Sequence, residues 1–266
     1  MQKIYYGEMK HHFGELRLPD TDGPHPVAIV IHGGFWKQEF DLGITRDVAV
    51  DLTASGWATW NIEYSRVGQE SGGWPGTFLD AAQATDALRM LQKDHDLDLG
   101  KVVTIGHSAG GHLALWLAGR KNLPETSPLY TNQPLPIRAA VSLAGVNDLK
   151  AMHDVHQFRD GALGNPSDNP VADLLGGTPE EVPERFREGS PKELLPLATT
   201  QILLHGDLDI HVPVGISDDY QEWAENMGDA VKYVRISGAE HFMLTDTTTR
   251  AFARVKEEMD LLHRYL

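Results

Sequence analysis

The segment Gly106-His107-Ser108-Ala109-Gly110 decides the fold class of this chain. It is a G-x-S-x-G pattern, preceded by the apolar run 102–105 and followed by 111–118, a stretch typical of a helix. A strand, a tight turn carrying serine and then a helix form the context in which this pattern presents a nucleophile. Glycine is needed on both sides of the turn because a Cβ there would collide with the strand or the helix. The segment predicts an α/β fold with Ser108 as an activated serine.

Strands and helices alternate along most of the rest of the chain. Apolar runs predict strands, and amphipathic stretches predict helices between them. This pattern predicts an α/β fold in one domain, 1–266, built on a mostly parallel eight-stranded sheet with helices on both faces. The predicted strands are near 2–6 and 13–18 and at 27–31, 57–62, 101–105, 137–144, 200–204 and 231–236; the helices are 44–55, 77–95, from 109, 214–227 and 246–265.

The stretch 150–196 interrupts this alternation. It is rich in proline, glycine and charge, including Asn165-Pro166 and Gly176-Gly177. Long loops in compact domains are more often functional than neutral, although a solvated crossover loop is the alternative. We expect a small cap or lid inserted over the carboxyl edge of the sheet, where ligands bind in open α/β sheets.

Composition excludes several classes of function. The net charge of −15 argues against nucleic acid or an anionic membrane as a partner. The absence of cysteine excludes disulfides and thiolate metal sites. The first residues lack the apolar core of a signal peptide, and no apolar run approaches the ~20 residues that span a bilayer. We therefore expect a cytoplasmic protein, and a homodimer is an open alternative to a monomer.

A serine hydroxyl needs backbone N–H donors to stabilise the oxyanion that its attack creates. The strand at 27–31 ends in His32-Gly33-Gly34-Phe35-Trp36, which matches the glycine-rich oxyanion loop expected after the third strand. The predicted donors are the N–H groups of Gly34 and Phe35, together with Ala109 directly after the serine.

The serine also needs a histidine base, which follows the last strand in this type of fold. His241 comes directly after the strand at 231–236. His211 belongs to the preceding loop and His263 to the closing helix, so His241 is the predicted base.

The histidine in turn needs a carboxylate, and three are candidates. The loop after the strand at 200–204 holds Asp207 and Asp209, and its H-G-x-x-D-x-x-V-P spacing favours Asp209. Asp207 would then brace the loop. Asp148, after the strand at 137–144, is the third candidate, because some hydrolases place the acid one strand earlier.

The motifs HGGFW, GHSAGGH, HGDLDIHVP and GAEHF, in this order, resemble the α/β-hydrolase superfamily. More narrowly, 20–266 is similar to small carboxylesterases and arylformamidases related to the catalytic domain of prolyl oligopeptidase-type hydrolases. The resemblance implies a Ser-His-Asp hydrolase with no cofactor and no metal. The fold hosts many chemistries, so the motifs predict the reaction better than the substrate.

The expected function is hydrolysis of small carboxylic esters through an acyl-enzyme. The alternatives are an arylformamidase acting on N-formylkynurenine-type amides, a small-peptide or acyl-amino-acid hydrolase, and a non-catalytic binding module. The expected partner is a small ester or amide. Trp36, His107 and Phe242 lie beside the catalytic motifs and are the predicted substrate-binding residues, since pockets are mostly apolar.

Four further histidines could act as metal ligands. His11-His12 and the pair His153 and His156 have no accompanying HExxH-type pattern. We therefore expect them to be surface residues, and we expect His112 to be a packed or hydrogen-bonded helix residue rather than a base.

Overall fold

Eight strands form one sheet in the order β1-β2-β4-β3-β5-β6-β7-β8. The structure is a computed structural model that describes residues 1–164 and 168–266. β1 and β2 are antiparallel at one edge, and β3 to β8 run parallel. The strands are β1 Gln2–Tyr5, β2 Phe13–Arg17, β3 His25–Ile31, β4 Ala58–Ile62, β5 Leu97–His107, β6 Ala139–Leu143, β7 Thr200–Gly206 and β8 Val231–Ile236.

Helices cover both faces of this sheet. They are α1 Arg46–Ala54, α2 Gly76–Asp86, α3 Leu88–Leu91, α4 Ala109–Gly119, α5 Leu149–Leu163, α6 Pro170–Leu175, α7 Pro183–Gly189, α8 Gly215–Asn226 and α9 Arg250–Tyr265. Within the described residues, no helix combines the length and apolar character needed to cross a bilayer.

The central strand β3 shows why both faces are covered. Its side chains alternate, so Val27 and Ile29 join one buried cluster, with α2, α4 and α8, while Ala28 and Val30 join the other, with α1 and α9. A strand that is apolar at every position can be buried only between two layers of helix. This arrangement confirms the predicted mostly parallel, eight-stranded α/β fold.

One predicted helix differs from the structure. The single helix expected over 77–95 is divided into α2 and α3 and ends at Leu91. The chain turns at 92–96 because β5 starts at Leu97, earlier than the apolar run at 102 indicated.

The segment predicted to be a cap contains α5, α6 and α7. Asp148 caps α5 by accepting a hydrogen bond from the N–H of Ala151 at 3.1 Å, and Asn169 caps α6 in the same way. Asn165-Pro166, quoted above as a sign of the insertion, lies outside the described residues. The role of 150–196 as a cap stays a prediction.

Candidate active site

Ser108 lies on a sharp turn between β5 and α4. Its φ of 58° and ψ of −121° place a non-glycine residue in a sparsely populated conformation. The turn is too tight for side chains on either side. A Cβ on Gly106 would come within 2.0 Å of the carbonyl oxygen of Gly110, and one on Gly110 within 2.1 Å of that of Ile31. The two glycines therefore permit the strained turn that holds Ser108.

The loop 32–36 lies directly against this turn. A Cβ on Gly33 would be 2.9 Å from the Cβ of Ser108, so only glycine allows the loop to approach so closely. Gly34, Phe35 and Trp36 then have φ values of 102°, 48° and 56°, a run of left-handed residues that reorients successive N–H groups.

The predicted oxyanion donors are free to bind a ligand. Within residues 1–164 and 168–266, the N–H groups of Gly34, Phe35 and Ala109 donate no hydrogen bond to the protein. Ala109 is the first residue of α4, where a helix has no internal acceptor for its N–H. These unused donors are the kind of groups that stabilise an oxyanion.

A buried hydrogen bond between His32 and Glu63 joins the loop 32–36 to the end of β4. His32 bonds through Nε2 to Glu63 at 2.9 Å and donates from Nδ1 to the carbonyl of Gly33 at 2.8 Å. Tyr64 donates its hydroxyl to the carbonyl of His32 at 2.8 Å and stacks on the ring. Burial raises the pKa of Glu63, but the hydrogen bond and charge of His32 more than offset it, so this pKa lies below its usual range.

Asp209 and His241 meet at the same edge of the sheet as Ser108. His241 Nδ1 donates to Asp209 Oδ2 at 2.6 Å, and the carboxylate is fully buried. Asp209 Oδ1 accepts from the N–H groups of His211 and Val212 at 2.8 and 2.9 Å. Burial acts to raise the pKa of Asp209, but the hydrogen bonds from His205 and His241 hold it well below its usual range.

The other two candidate carboxylates have different partners. Asp207 accepts a hydrogen bond from the N–H of Gly238 at 2.7 Å, which ties the loop after β7 to the loop after β8. Asp148 caps α5 and forms an ion pair with Lys192 at 2.7 Å. Of the three, Asp209 is the one that the structure brings to His241.

A second histidine, His205, also contacts the carboxylate of Asp209. His205 Nε2 donates to the carbonyl of Val212 at 2.9 Å and lies 3.2 Å from Asp209 Oδ2. Since Nε2 carries the hydrogen, Nδ1 accepts from the hydroxyl of Ser217 at 2.8 Å, and that oxygen accepts from Asn147 at 3.1 Å. This buried chain fixes the tautomer of His205 and the orientation of the carboxylate.

His107 positions the backbone of His241. Its Nε2 donates to the carbonyl of His241 at 2.9 Å, and the two ring centroids are 4.4 Å apart. Burial, aided by the neighbouring His241, lowers the pKa of His107 to about 3, so its ring is neutral. Within the described residues, the Ser108 hydroxyl makes no hydrogen bond to His241; such bonds are often long before substrate binds.

Comparison with known proteins places this site in a family. The BD-FAE family matches residues 15–224, most of the chain. The chain belongs to the BD-FAE family. The matched region includes the loop 32–36, Ser108 and Asp209, whereas His241 lies beyond it.

A curated protein and several solved structures are similar to this chain. The esterase LipC of Mycobacterium tuberculosis is 28% identical over 220 residues, 82% of this chain but 53% of LipC, so the chain spans about half of that relative. A truncated carbohydrate esterase from gut microbiota has a TM-score of 0.81 at 19% identity, covering 99% of this chain and 96% of that one. Esterase Est2 of Thermogutta terrifontis has a TM-score of 0.76 at 19% identity, covering 97% and 90%. These structures share the α/β-hydrolase fold with this BD-FAE member.

The predicted substrate-binding residues have three different environments in this BD-FAE chain. Trp36 has no exposed surface and packs edge-on against His112, so we assign it to supporting the loop rather than to contacting substrate. His107 is committed to the backbone of His241, as described above. Phe242 is 54% exposed, with its ring centroid 5.1 Å from that of His241, and remains the predicted wall of a pocket.

Two histidines that were not predicted to have a role at the site lie close to it. The ring of His211 lies 5.1 Å from those of His241 and Phe242, and its place two residues after Asp209 was the available signal. His156 on α5 is buried edge-on against Phe35, with centroids 5.4 Å apart. Burial lowers the pKa of His156 to about 4. For His156, the available signal was its position one helical turn after Met152, because residues at that spacing share a helix face and Met152 is also buried.

The structure confirms the prediction for His112 and corrects the prediction for four other histidines. His112 is fully buried and its Nε2 donates to the carbonyl of Gly189 at 2.8 Å, as expected of a packed helix residue. His11, His12, His153 and His156 are buried, so the expectation that they lie on the surface is wrong. Helix α2 covers the first pair, and α5 turns the second pair toward the core.

Proposed function

We propose that this protein is a serine hydrolase that cleaves small carboxylic esters through an acyl-enzyme on Ser108. The observation that carries the proposal is the pair formed by His241 and the fully buried carboxylate of Asp209, at the edge of the sheet where the strained turn presents Ser108. A serine is a weak nucleophile until an oriented base removes its proton. The pair supplies such a base.

In the first half of the reaction, His241 Nε2 takes the hydroxyl proton as Ser108 Oγ attacks the ester carbonyl. Nε2 can accept this proton because Nδ1 carries the hydrogen that is donated to Asp209 at 2.6 Å. The carboxylate stabilises the imidazolium that results. His241 then protonates the departing alcohol, and the acyl group remains on Ser108.

The oxyanion of each tetrahedral intermediate is bound by backbone groups. Gly34, Phe35 and Ala109 provide N–H donors that no protein acceptor uses within the described residues. One such donor is worth ~3–4 kcal/mol of transition-state stabilisation. Because His32 and Glu63 anchor the loop, its donors are oriented before substrate arrives.

In the second half, water replaces the alcohol. His241 removes a proton from water, which attacks the acyl carbonyl, and the same proton returns to Ser108 as the acid is released. The cycle consumes one ester and one water and yields one alcohol and one carboxylic acid. It requires no metal and no cofactor.

The surroundings of the site suit an apolar substrate, and the similar proteins suggest its class. Exposed Phe242, next to the His241 ring, and half-buried Phe35, in the glycine-rich loop, offer apolar surface near the site. The relatives named above are themselves called esterases, including LipC and Est2. The names of these relatives support an ester rather than an amide as the natural substrate class.

The nucleophile is tested by a fluorophosphonate probe on the folded protein. We expect one covalent label, located on Ser108, and none on Ser108→Ala. Ser55→Ala, directly after α1 and outside the site, is the matched control and should label like the wild type. A folded wild type that takes no label would instead favour a non-catalytic binding module.

The substrate class is tested by comparing kcat/KM for p-nitrophenyl acetate, p-nitrophenyl butyrate and N-formylkynurenine. We expect both esters to exceed the formamide. A formamide rate far above both ester rates would make the protein an arylformamidase with the same nucleophile.

A further inference from the structure

Two adjacent histidines of the N-terminal hairpin meet a carboxylate from α2. His11 and His12 lie in the turn between β1 and β2, and Asp80 lies on α2, so residues about seventy positions apart converge. Each of the three offers one ligand atom within 4.8 Å of the other two, and all three side chains are buried. This cluster is separate from the residues proposed for ester hydrolysis.

The contact between His12 and Asp80 has the geometry of neighbouring ligands rather than of a hydrogen bond. His12 Nε2 lies 3.1 Å from Asp80 Oδ1, yet this nitrogen has no hydrogen-bond partner because the angle is unsuitable. Two ligands of a tetrahedral zinc ion, each 2.0–2.1 Å from the metal, lie about 3.3 Å apart and point at the ion instead of at each other. The distance between His12 Nε2 and Asp80 Oδ1 is close to this distance between two zinc ligands.

His11 is linked to the same carboxylate and has an unsatisfied ring nitrogen. Its Nε2 bonds to Ser65 Oγ at 2.6 Å, and that hydroxyl bonds in turn to Asp80 Oδ2. The N–H of Ser65 also donates to Asp80 Oδ2, at 2.9 Å, which leaves Oδ1 for another partner. His11 Nδ1 is buried without a hydrogen-bond partner. A buried orphan nitrogen is uncommon in native structures, and a ligand would satisfy it.

The local charge also suits a cation. Asp80 contributes one negative charge, and the nearby cation Arg66 is paired with Glu63 at 3.4 Å. Two imidazoles and one carboxylate form a common protein ligand set for zinc, with the fourth position left for water.

We propose that His11, His12 and Asp80 bind one divalent transition-metal ion, of which Zn²⁺ is the best fit. The ion joins the β1–β2 hairpin to α2. Ser65 holds both His11 and Asp80, as outer residues around a metal commonly hold its ligands. Such a site fastens the edge of the sheet and takes no part in the chemistry at Ser108.

The test is zinc binding to the full chain after chelator treatment, followed by calorimetric titration with Zn²⁺ and by metal analysis after desalting. We expect one equivalent in the wild type, and more than about tenfold weaker binding in His12→Gln and Asp80→Asn. His95→Gln is the matched control, since His95 lies near the end of α3, outside this cluster, and should still bind one equivalent.

Two further measurements make the result decisive. Circular dichroism shows whether each variant folds; Asp80→Asn keeps an oxygen for the N–H of Ser65, so it reports on the site if His12→Gln does not fold. Added Zn²⁺ should raise the melting temperature of the wild type and of His95→Gln but not of the cluster variants. A wild type that retains no zinc, or equal binding by all four proteins, would overturn the proposal.

Discussion

Asp209→Asn changes one oxygen of a carboxylate that receives four hydrogen-bond contacts. Oδ1 accepts two backbone N–H groups, and Oδ2 faces both His241 Nδ1 and His205 Nε2. In the variant, the amide oxygen stays with the backbone donors, so the amide NH₂ faces both rings. His241 must then adopt the other tautomer, with the lone pair on Nδ1 and the hydrogen on Nε2. In this tautomer Nε2 cannot accept a proton from Ser108.

The expected loss follows from this change of tautomer. A histidine held in the wrong tautomer by the same substitution in another serine hydrolase lowers kcat by about 10⁴, which corresponds to about 5 kcal/mol of transition-state stabilisation. We expect a loss of this order in kcat for p-nitrophenyl acetate, with a smaller effect on KM. The oxyanion donors are unaffected, so activity above the rate in water should remain.

Asp207→Asn is the matched control, because it makes the same chemical change two residues away. Asp207 accepts only the N–H of Gly238 among the described contacts, and an amide oxygen can do the same. We expect kcat within about tenfold of the wild type. If Asp207→Asn abolished activity while Asp209→Asn retained it, the assignment of the acid and the tautomer reasoning would both be refuted.

Three further predictions concern the turn, the loop and acid stability. Gly106→Ala should lower the free energy of unfolding by at least about 2 kcal/mol in urea denaturation, because its Cβ would lie 2.0 Å from the Gly110 carbonyl oxygen; wild-type stability would contradict that geometry. Glu63→Gln should lower the melting temperature, with a loss of about 2 kcal/mol in the free energy of unfolding, because His32 loses the carboxylate that it contacts. It should also reduce kcat more than it changes KM; an unchanged kcat would show that the contact between His32 and Glu63 is not needed for catalysis. The folded pKa of Asp209 is depressed, so its stabilising contribution is present above the unfolded pKa near ~4 and is lost as pH falls toward the folded value. The difference in stability between wild type and Asp209→Asn should therefore narrow in acid, and a difference constant with pH would be inconsistent with the depressed pKa.

The predicted strands match the structure closely because β3 and its neighbours are apolar at consecutive positions and are flanked by clear turns. The helix predicted over 77–95 was less accurate, since the place where α3 ends depends on where β5 begins. The turn at Ser108 was predictable because it requires residues without a Cβ at positions 106 and 110, and both are glycine in the sequence. The spacing of the motif favoured Asp209 over Asp207. The contacts that distinguish the two carboxylates are made by His241 and Gly238, about thirty positions away in the sequence.

Local sequence therefore determined the α/β fold, the serine turn and the glycine-rich loop, because each depends on backbone conformations that neighbouring residues impose. Only the tertiary structure decided which side chains meet. It bonded His107 to the backbone of His241, placed His205 next to Asp209, and buried Trp36, which was predicted to contact substrate. It also turned His11 and His12, expected on the surface, toward Asp80, a carboxylate on a helix that no local pattern connects to them. Contacts between distant residues depend on how the layers pack, and no short stretch of sequence carries that information.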